Sequence, residues 1–169
     1  MAITSKWRTA AILIFCSAVH VHLVNSSQEI VMKLSDSFFK ALQECKEELG
    51  LTEDLQQTLG RFWHVDTDLG SRNLGCVLIC LATKEDLLQP NAYKMHREKT
   101  IDYAKEHGAD EDTSKTLVDL VHVCEEKHFD DSDHCAWILE VAKCFREEIR
   151  QLAWAPTFED VIAQLMAEA

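Results

Sequence analysis

Proline is close to absent from this chain: only Pro90 and Pro156 occur, beside five glycines. Helix breakers are therefore few, and no linker, repeat or low-complexity tract divides the chain. Basic residues are also scarce, 17 Lys and Arg against 29 Asp and Glu, for a net charge of −12. Nucleic acid and anionic membrane surfaces are poor partners for such a surface. Catalytic signatures are missing as well. There is no Gly-x-Ser-x-Gly, no phosphate-cradling glycine loop and no His-Glu-x-x-His. His64 and Asp66 stand two apart in a polar stretch and read as solvated surface rather than an acid–base pair.

The first apolar run is short. Lys6 and Arg8 precede Ala10 to Val19, and small residues close the segment near Val24-Asn25-Ser26. This is the pattern of a secretory signal peptide over residues 1–26. The run is too short for a membrane span, and His20 and His22 interrupt its end. Cys16 falls inside the leader, and the sequon at Asn25 leaves with it. About 143 residues remain, enough for one domain over residues 27–169. Without Lys6 and Arg8 the net charge becomes −14.

What remains is rich in cysteine and in helical periodicity. Cys45, Cys76, Cys80, Cys124, Cys135 and Cys144 are separated by 30, 3, 43, 10 and 8 residues. An even set in a small secreted chain predicts disulfides rather than a zinc site, and no metal or cofactor is implied. Cys76 and Cys80 lie one helical turn apart and share a face, so each should reach a different partner. Fifteen connectivities stay open on spacing alone.

The periodicity predicts six helices. The first carries Ile30, Leu34, Phe38, Ala41 and Cys45 and stops at Gly50. Thr52 opens a second that runs through Phe62-Trp63, followed by a loop over residues 64–71. A third spans 73–88 and a fourth 95–107, closed by Gly108. A fifth starts at Asp112-Thr113, and Lys127 to Asp133 forms an acidic loop. A sixth covers 135–152. After Pro156, Phe158, Val161, Ile162, Leu165 and Met166 form one apolar stripe, with Glu159, Asp160 and Glu168 off it. Two readings stand for this tail: a seventh helix docked on the core, or a mobile segment (155–169) that moves between surface and interior. The apolar side chains on the other helices fit either a filled core or an open cavity. Staples that constrain the unfolded chain make an open cavity tolerable.

The cysteine intervals resemble those of insect odorant-binding proteins. Phe38-Phe-Lys-Ala-Leu-Gln-Glu-Cys45, Phe62-Trp63, Gly75-Cys-Val-Leu-Ile-Cys-Leu81, Tyr103-Ala-Lys-Glu-His-Gly-Ala-Asp110, Leu117-Val-Asp-Leu-Val-His-Val-Cys-Glu125 and Leu152-Ala-Trp-Ala-Pro156 sharpen the match. Together they resemble moth pheromone-binding proteins over the whole of residues 27–169. The resemblance implies an all-α, compact six- to seven-helix domain with three interlocked disulfides, Cys45–Cys80, Cys76–Cys135 and Cys124–Cys144, around an apolar cavity. It implies a non-enzymatic carrier of long-chain alcohols, acetates or aldehydes, secreted into antennal sensillum lymph. Its partners would be the small hydrophobic ligand and the olfactory receptor membrane; a homodimer is left open. Positions matching the family's pocket are Phe38, Phe62, Trp63, Leu78, Leu87, Leu88, Met95, Tyr103, Val118, Val121, Val141 and Phe145, with Phe38 and Phe145 sandwiching the ligand.

Two departures matter. Where the family often has a head-group serine, this chain has Ala82. Ser35 is the substitute donor to weigh, against a hydroxyl bonded back to its own helix. His96, His107 and His122 match histidines tied to acid release in the family, but a histidine pair is reduced here to His96-Arg97. The fixed charge of Arg97 is expected to lower the pKa of His96. In the tail, protonation of Glu159, Asp160 and Glu168 would favour insertion into the cavity. The competing reading is a secreted helical signalling protein with a filled core. A small secreted enzyme is a third, which the missing signatures argue against.

Overall fold

The computed structural model describes the backbone of residues 3–90, 92–128 and 132–157, with side chains from Ser26 onward. Six helices lie among the described residues: α1 (Ile3–Leu49), α2 (Glu53–Gly60), α3 (Arg72–Lys84), α4 (Arg97–Glu106), α5 (Glu111–Lys127) and α6 (His134–Gln151). A single bridge, Leu88 with Met95, is the β pairing among them. The tail stripe beyond Thr157, with Glu159, Asp160 and Glu168, lies outside the described residues, as does the centre of the 127–133 loop. The helix expected around Ile30 is part of α1, which continues back to Ile3 because neither Gly nor Pro interrupts residues 3–49. Among the described residues no helix is long and apolar enough to cross a membrane.

Side-chain caps start four helices. Thr52 Oγ1 accepts from Leu55 N, His96 Nδ1 from Lys99 N, Asp110 from Thr113 N and Asp133 from Ala136 N. α1 ends at Gly50 (φ 62°) with Leu51 N on Lys46 O, and three further helices end by the same device with an apolar contact added. Past α3, Asp86 turns left-handed (φ 53°), Asp86 N donates to Thr83 O and Leu87 N reaches back to Ala82 O. Gly108 (φ 96°) ends α4 with Ala109 N on Ala104 O, and Ala153 (φ 58°) ends α6 with Trp154 N on Ile149 O. In each of these three the reaching residue and the residue it reaches pack in one apolar cluster.

These ends correct three expectations. The third helix stops at Lys84 rather than Leu88, because the polar run Lys84-Glu85-Asp86 hosts the left-handed cap. The second stops at Gly60, before Phe62-Trp63, where the chain turns with Phe62 N on Leu59 O and His64 N on Arg61 O. The fourth begins at Arg97, because Met95 is held in the bridge to Leu88.

The disulfides are Cys45–Cys80, Cys76–Cys135 and Cys124–Cys144. Thus α3 is stapled to α1 by one cysteine and to α6 by the other. Beside the second staple the backbones nearly touch: a Cβ on Gly75 would collide with the Cys135 carbonyl. Buried side chains fall into four clusters rather than one. Leu59, Leu74, Val77, Leu81 and Leu139 join α2, α3 and α6 with Cys45 of α1. Ile30, Val31, Ala104, Leu117 and Ile149 join α1, α4, α5 and α6. Trp137, Ile138 and Val141 surround Cys124, and Ala82, Leu87 and Tyr103 meet Phe38. Members of all four face a common central space.

Candidate functional site

That space is a cavity of about 280 Å³. Its size lies near the lower end of the range for small-molecule sites. Helix α1 supplies Ser35 and Phe38, and the turn after α2 supplies Phe62 and Trp63. Leu78 and Ala82 come from α3, and Leu87, Leu88 and Met95 from the bridged loop. Tyr103 comes from α4, Val118 and Val121 from α5, and Val141 and Phe145 from α6. Every wall position expected from the sequence therefore stands on this one cavity. The cap after α3, not a longer helix, aims Leu87 and Leu88 inward. Their antiparallel segment is held by Gln89 N on Lys94 O and His96 N on Leu87 O. Sequence reasoning missed Leu34, Leu42, Leu59, Leu117 and Ile138, which also line it. The helical stripes that carry them were legible, but which part of a stripe meets a void depends on how the helices cross.

The aromatic wall divides into two groups. Phe38 pairs with Tyr103 at 5.8 Å between ring centroids, and Phe145 with Trp63 at 6.4 Å. Phe62 meets Trp63 edge-on at 4.9 Å. The turn carrying these two rings is pinned by Arg146 of α6, whose Nη1 donates to Phe62 O (3.2 Å) and Thr67 O (3.3 Å). Burial pushes the Arg146 guanidinium below its usual range.

Polar groups on the wall are few. Ser35 Oγ donates to Val31 O (2.8 Å) and accepts from Trp63 Nε1 (2.9 Å). Its hydrogen therefore serves its own helix. Ala82 is buried and contributes only a methyl group. Thr100 donates to His96 O. Tyr103 is buried, which pushes its phenol up to about 12.

The three histidines do not form one cluster. His96 and His107 cap opposite ends of α4. His107 Nδ1 contacts Tyr103 O at 2.8 Å, and its ring lies against Tyr103. His122 Nδ1 meets Glu125 Oε2 at 2.7 Å, while Glu125 Oε1 accepts from Met95 N at 2.7 Å. Glu125 is only 2% exposed. This carboxylate ties the bridged loop to α5 beside His122, and sequence reasoning missed it. Its signal was available: Glu125 falls on the Val118–Val121 face of α5, where a charge needs partners. Arg97 turns its guanidinium onto Asp119 of α5. Among the described residues no three His, Cys, Asp or Glu converge to hold a metal.

An apolar chamber in a stapled helical shell, with most of the wall's hydroxyls bonded to the protein itself, defines a binder of small hydrophobic molecules. The chain belongs to the PBP/GOBP family, whose sequence pattern matches residues 27–148. It is 39% identical over 145 residues to pheromone-binding protein 2 of Epiphyas postvittana, covering 86% of this chain and 87% of that one. It is 34% identical over 164 residues to general odorant-binding protein 1 of Antheraea pernyi, covering 96% and 95%. The crystal structure of Epiphyas postvittana pheromone-binding protein 3 superposes with a TM-score of 0.63 at 40% identity, covering 69% of this chain and 99% of that one.

Proposed function

We propose that residues 27–169, released from the leader 1–26, form an extracellular carrier of the antennal sensillum lymph. It takes up a long-chain pheromone or odorant in the central cavity and delivers it to olfactory receptors. The observation that carries this reading is the apolar chamber at the junction of four core clusters, which a filled-core signalling protein would lack. Binding is by burial, at about 0.8 kcal/mol per methylene before ordering costs. The test is uptake of a fluorescent apolar probe and its displacement by long-chain acetates, alcohols and aldehydes. One-to-one uptake with displacement supports the carrier; no uptake at neutral pH refutes it.

Release in acid is assigned to the tail. The chain is tied down as far as Pro156. Trp154 and Ala155 pack on the Ile149 cluster, Gln28 Nε2 donates to Ala155 O at 3.3 Å, and Pro156 is buried. The point from which the tail departs is therefore fixed beside the core. Ionised Glu159, Asp160 and Glu168 oppose burial of the tail's apolar stripe; protonation removes that cost, so acid favours insertion and ligand loss. The His96, His107 and His122 positions act on the same equilibrium. Deleting the residues after Pro156 should leave ligand bound in acid. Sharp acid release by the truncated protein would refute the tail mechanism.

A further inference from the structure

The polar side chains on the cavity wall are satisfied with one exception. Ser35 is committed to Val31 and Trp63, Thr100 to the His96 carbonyl, and Asp36 to Lys40 at 2.9 Å. Tyr103 Oη and His122 Nε2 are both buried without a hydrogen-bond partner, but of these two only Tyr103 lines the cavity. The Ser37 hydroxyl stands near enough to act on the phenol, yet no hydrogen bond of normal geometry joins them. Tyr103 is 8% exposed. A buried hydroxyl left without a partner is destabilising. A group that supplies an acceptor there bonds a donor already stripped of water, so the bond is not offset by fresh desolvation of the hydroxyl.

We propose that the Tyr103 hydroxyl is the donor that fixes the ligand's polar head, so that the cavity selects long chains ending in a carbonyl acceptor, an ester or an aldehyde. The inference rests on the carrier reading and specifies its substrate class. Geometry places the donor well. Tyr103 sits in one cluster with Ala82 and Leu87, against the Phe38 ring, so the head would lie beside the methyl group of Ala82. The alkyl chain then has the Trp63 and Phe145 rings as its second aromatic wall. Because burial holds the phenol neutral to about pH 12, it remains a donor at any physiological pH. An acceptor-only head matches one free O–H without bringing a donor of its own into an apolar chamber.

The experiment is displacement of a naphthylamine fluorophore by dodecyl acetate and by hexadecane, which have equal numbers of non-hydrogen atoms. It is run on the wild-type protein and on Tyr103→Phe. The expected result is a preference for the acetate of about tenfold in the wild type, about 1.4 kcal/mol, falling to near parity in the variant. Circular dichroism checks that the variant is folded, and a tyrosine absorbance change on acetate binding should vanish with it. The same acetate-to-alkane ratio in both proteins, including a parallel loss of both ligands, would overturn the proposal. No uptake of the fluorophore by the wild type would instead sink the carrier reading itself.

Discussion

Tyr103 can be followed by its own chromophore, since Tyr93 is the chain's only other tyrosine. Desolvation raises its phenol from 10.0 to about 12. The neutral form is thus favoured in the fold. Its contribution to stability is intact below pH 10.0 and is lost as pH rises through about 12. Absorbance titration should show one tyrosine ionising near pH 12 or at unfolding, and Tyr103→Phe should lack that step. An ordinary titration of Tyr103 would contradict the burial. Ser35, by contrast, shows the limit of reading single residues. Its position on the inward stripe was legible, but whether its hydrogen faces a ligand or Val31 O is decided by a turn of one side chain. Glu125 is the converse case: a charge on an apolar face signals partners, but beside the local His122 one of them, Met95 N, lies 30 residues away.

The helix start at Thr52 was legible because this cap residue bonds within its own first turn; the fourth start was not, since Met95 is held in the bridge to Leu88. Helix ends were less legible wherever a non-glycine adopts the left-handed cap. Gly50 and Gly108 announce their stops; Asp86 and Ala153 do not. Ala153 carries a steric penalty that the buried contacts of Trp154 offset. Ala153→Gly should therefore stabilise the protein by roughly 0.5–1 kcal/mol, read as a higher denaturation midpoint with unchanged slope. A decrease would mean that the φ of 58° is not strained. The junction of α4 and α5 behaves differently. Lys105 and Lys115 hold the exposed Glu111 carboxyl down at about 2, so this clip persists above pH 4.5 and is lost only as pH falls toward 2. It therefore stays closed under mild acid, and salt screens it.

For the molecule as a whole, the staples make the open chamber tolerable. Cys76–Cys135 closes 59 residues, Cys45–Cys80 closes 35 and Cys124–Cys144 closes 20. Chain entropy predicts roughly 4 kcal/mol for the longest and about 3 kcal/mol for the shortest. Replacing Cys76 and Cys135 by alanine should lower the denaturation midpoint more than replacing Cys124 and Cys144. An inverted order would place the stabilisation in native packing instead. Gly75 adds a constraint of its own, because α3 and α6 can approach beside this staple only without a Cβ. The acidic surface, a net of −12 over the chain, keeps such a carrier dispersed at high concentration.

Helical class, the six framework cysteines and the candidate wall residues follow from spacing, periodicity and family resemblance, because these are properties of near neighbours and of recurring patterns. Composition likewise argues against nucleic-acid partners, since charge needs no fold to be counted. The existence of the void is different in kind. Val118, Val141 and Leu78 would read the same in a solid core; only the crossing of α1, α3, α5 and α6 leaves space between them. Which polar groups are committed and which are free is also a tertiary fact. Ser35 is closed off by Trp63, 28 residues along the chain, and Tyr103 is left open because the neighbouring Ser37 hydroxyl makes no hydrogen bond of normal geometry with it. Hydrogen-bond satisfaction depends on fine distances between remote segments, and local sequence does not encode those.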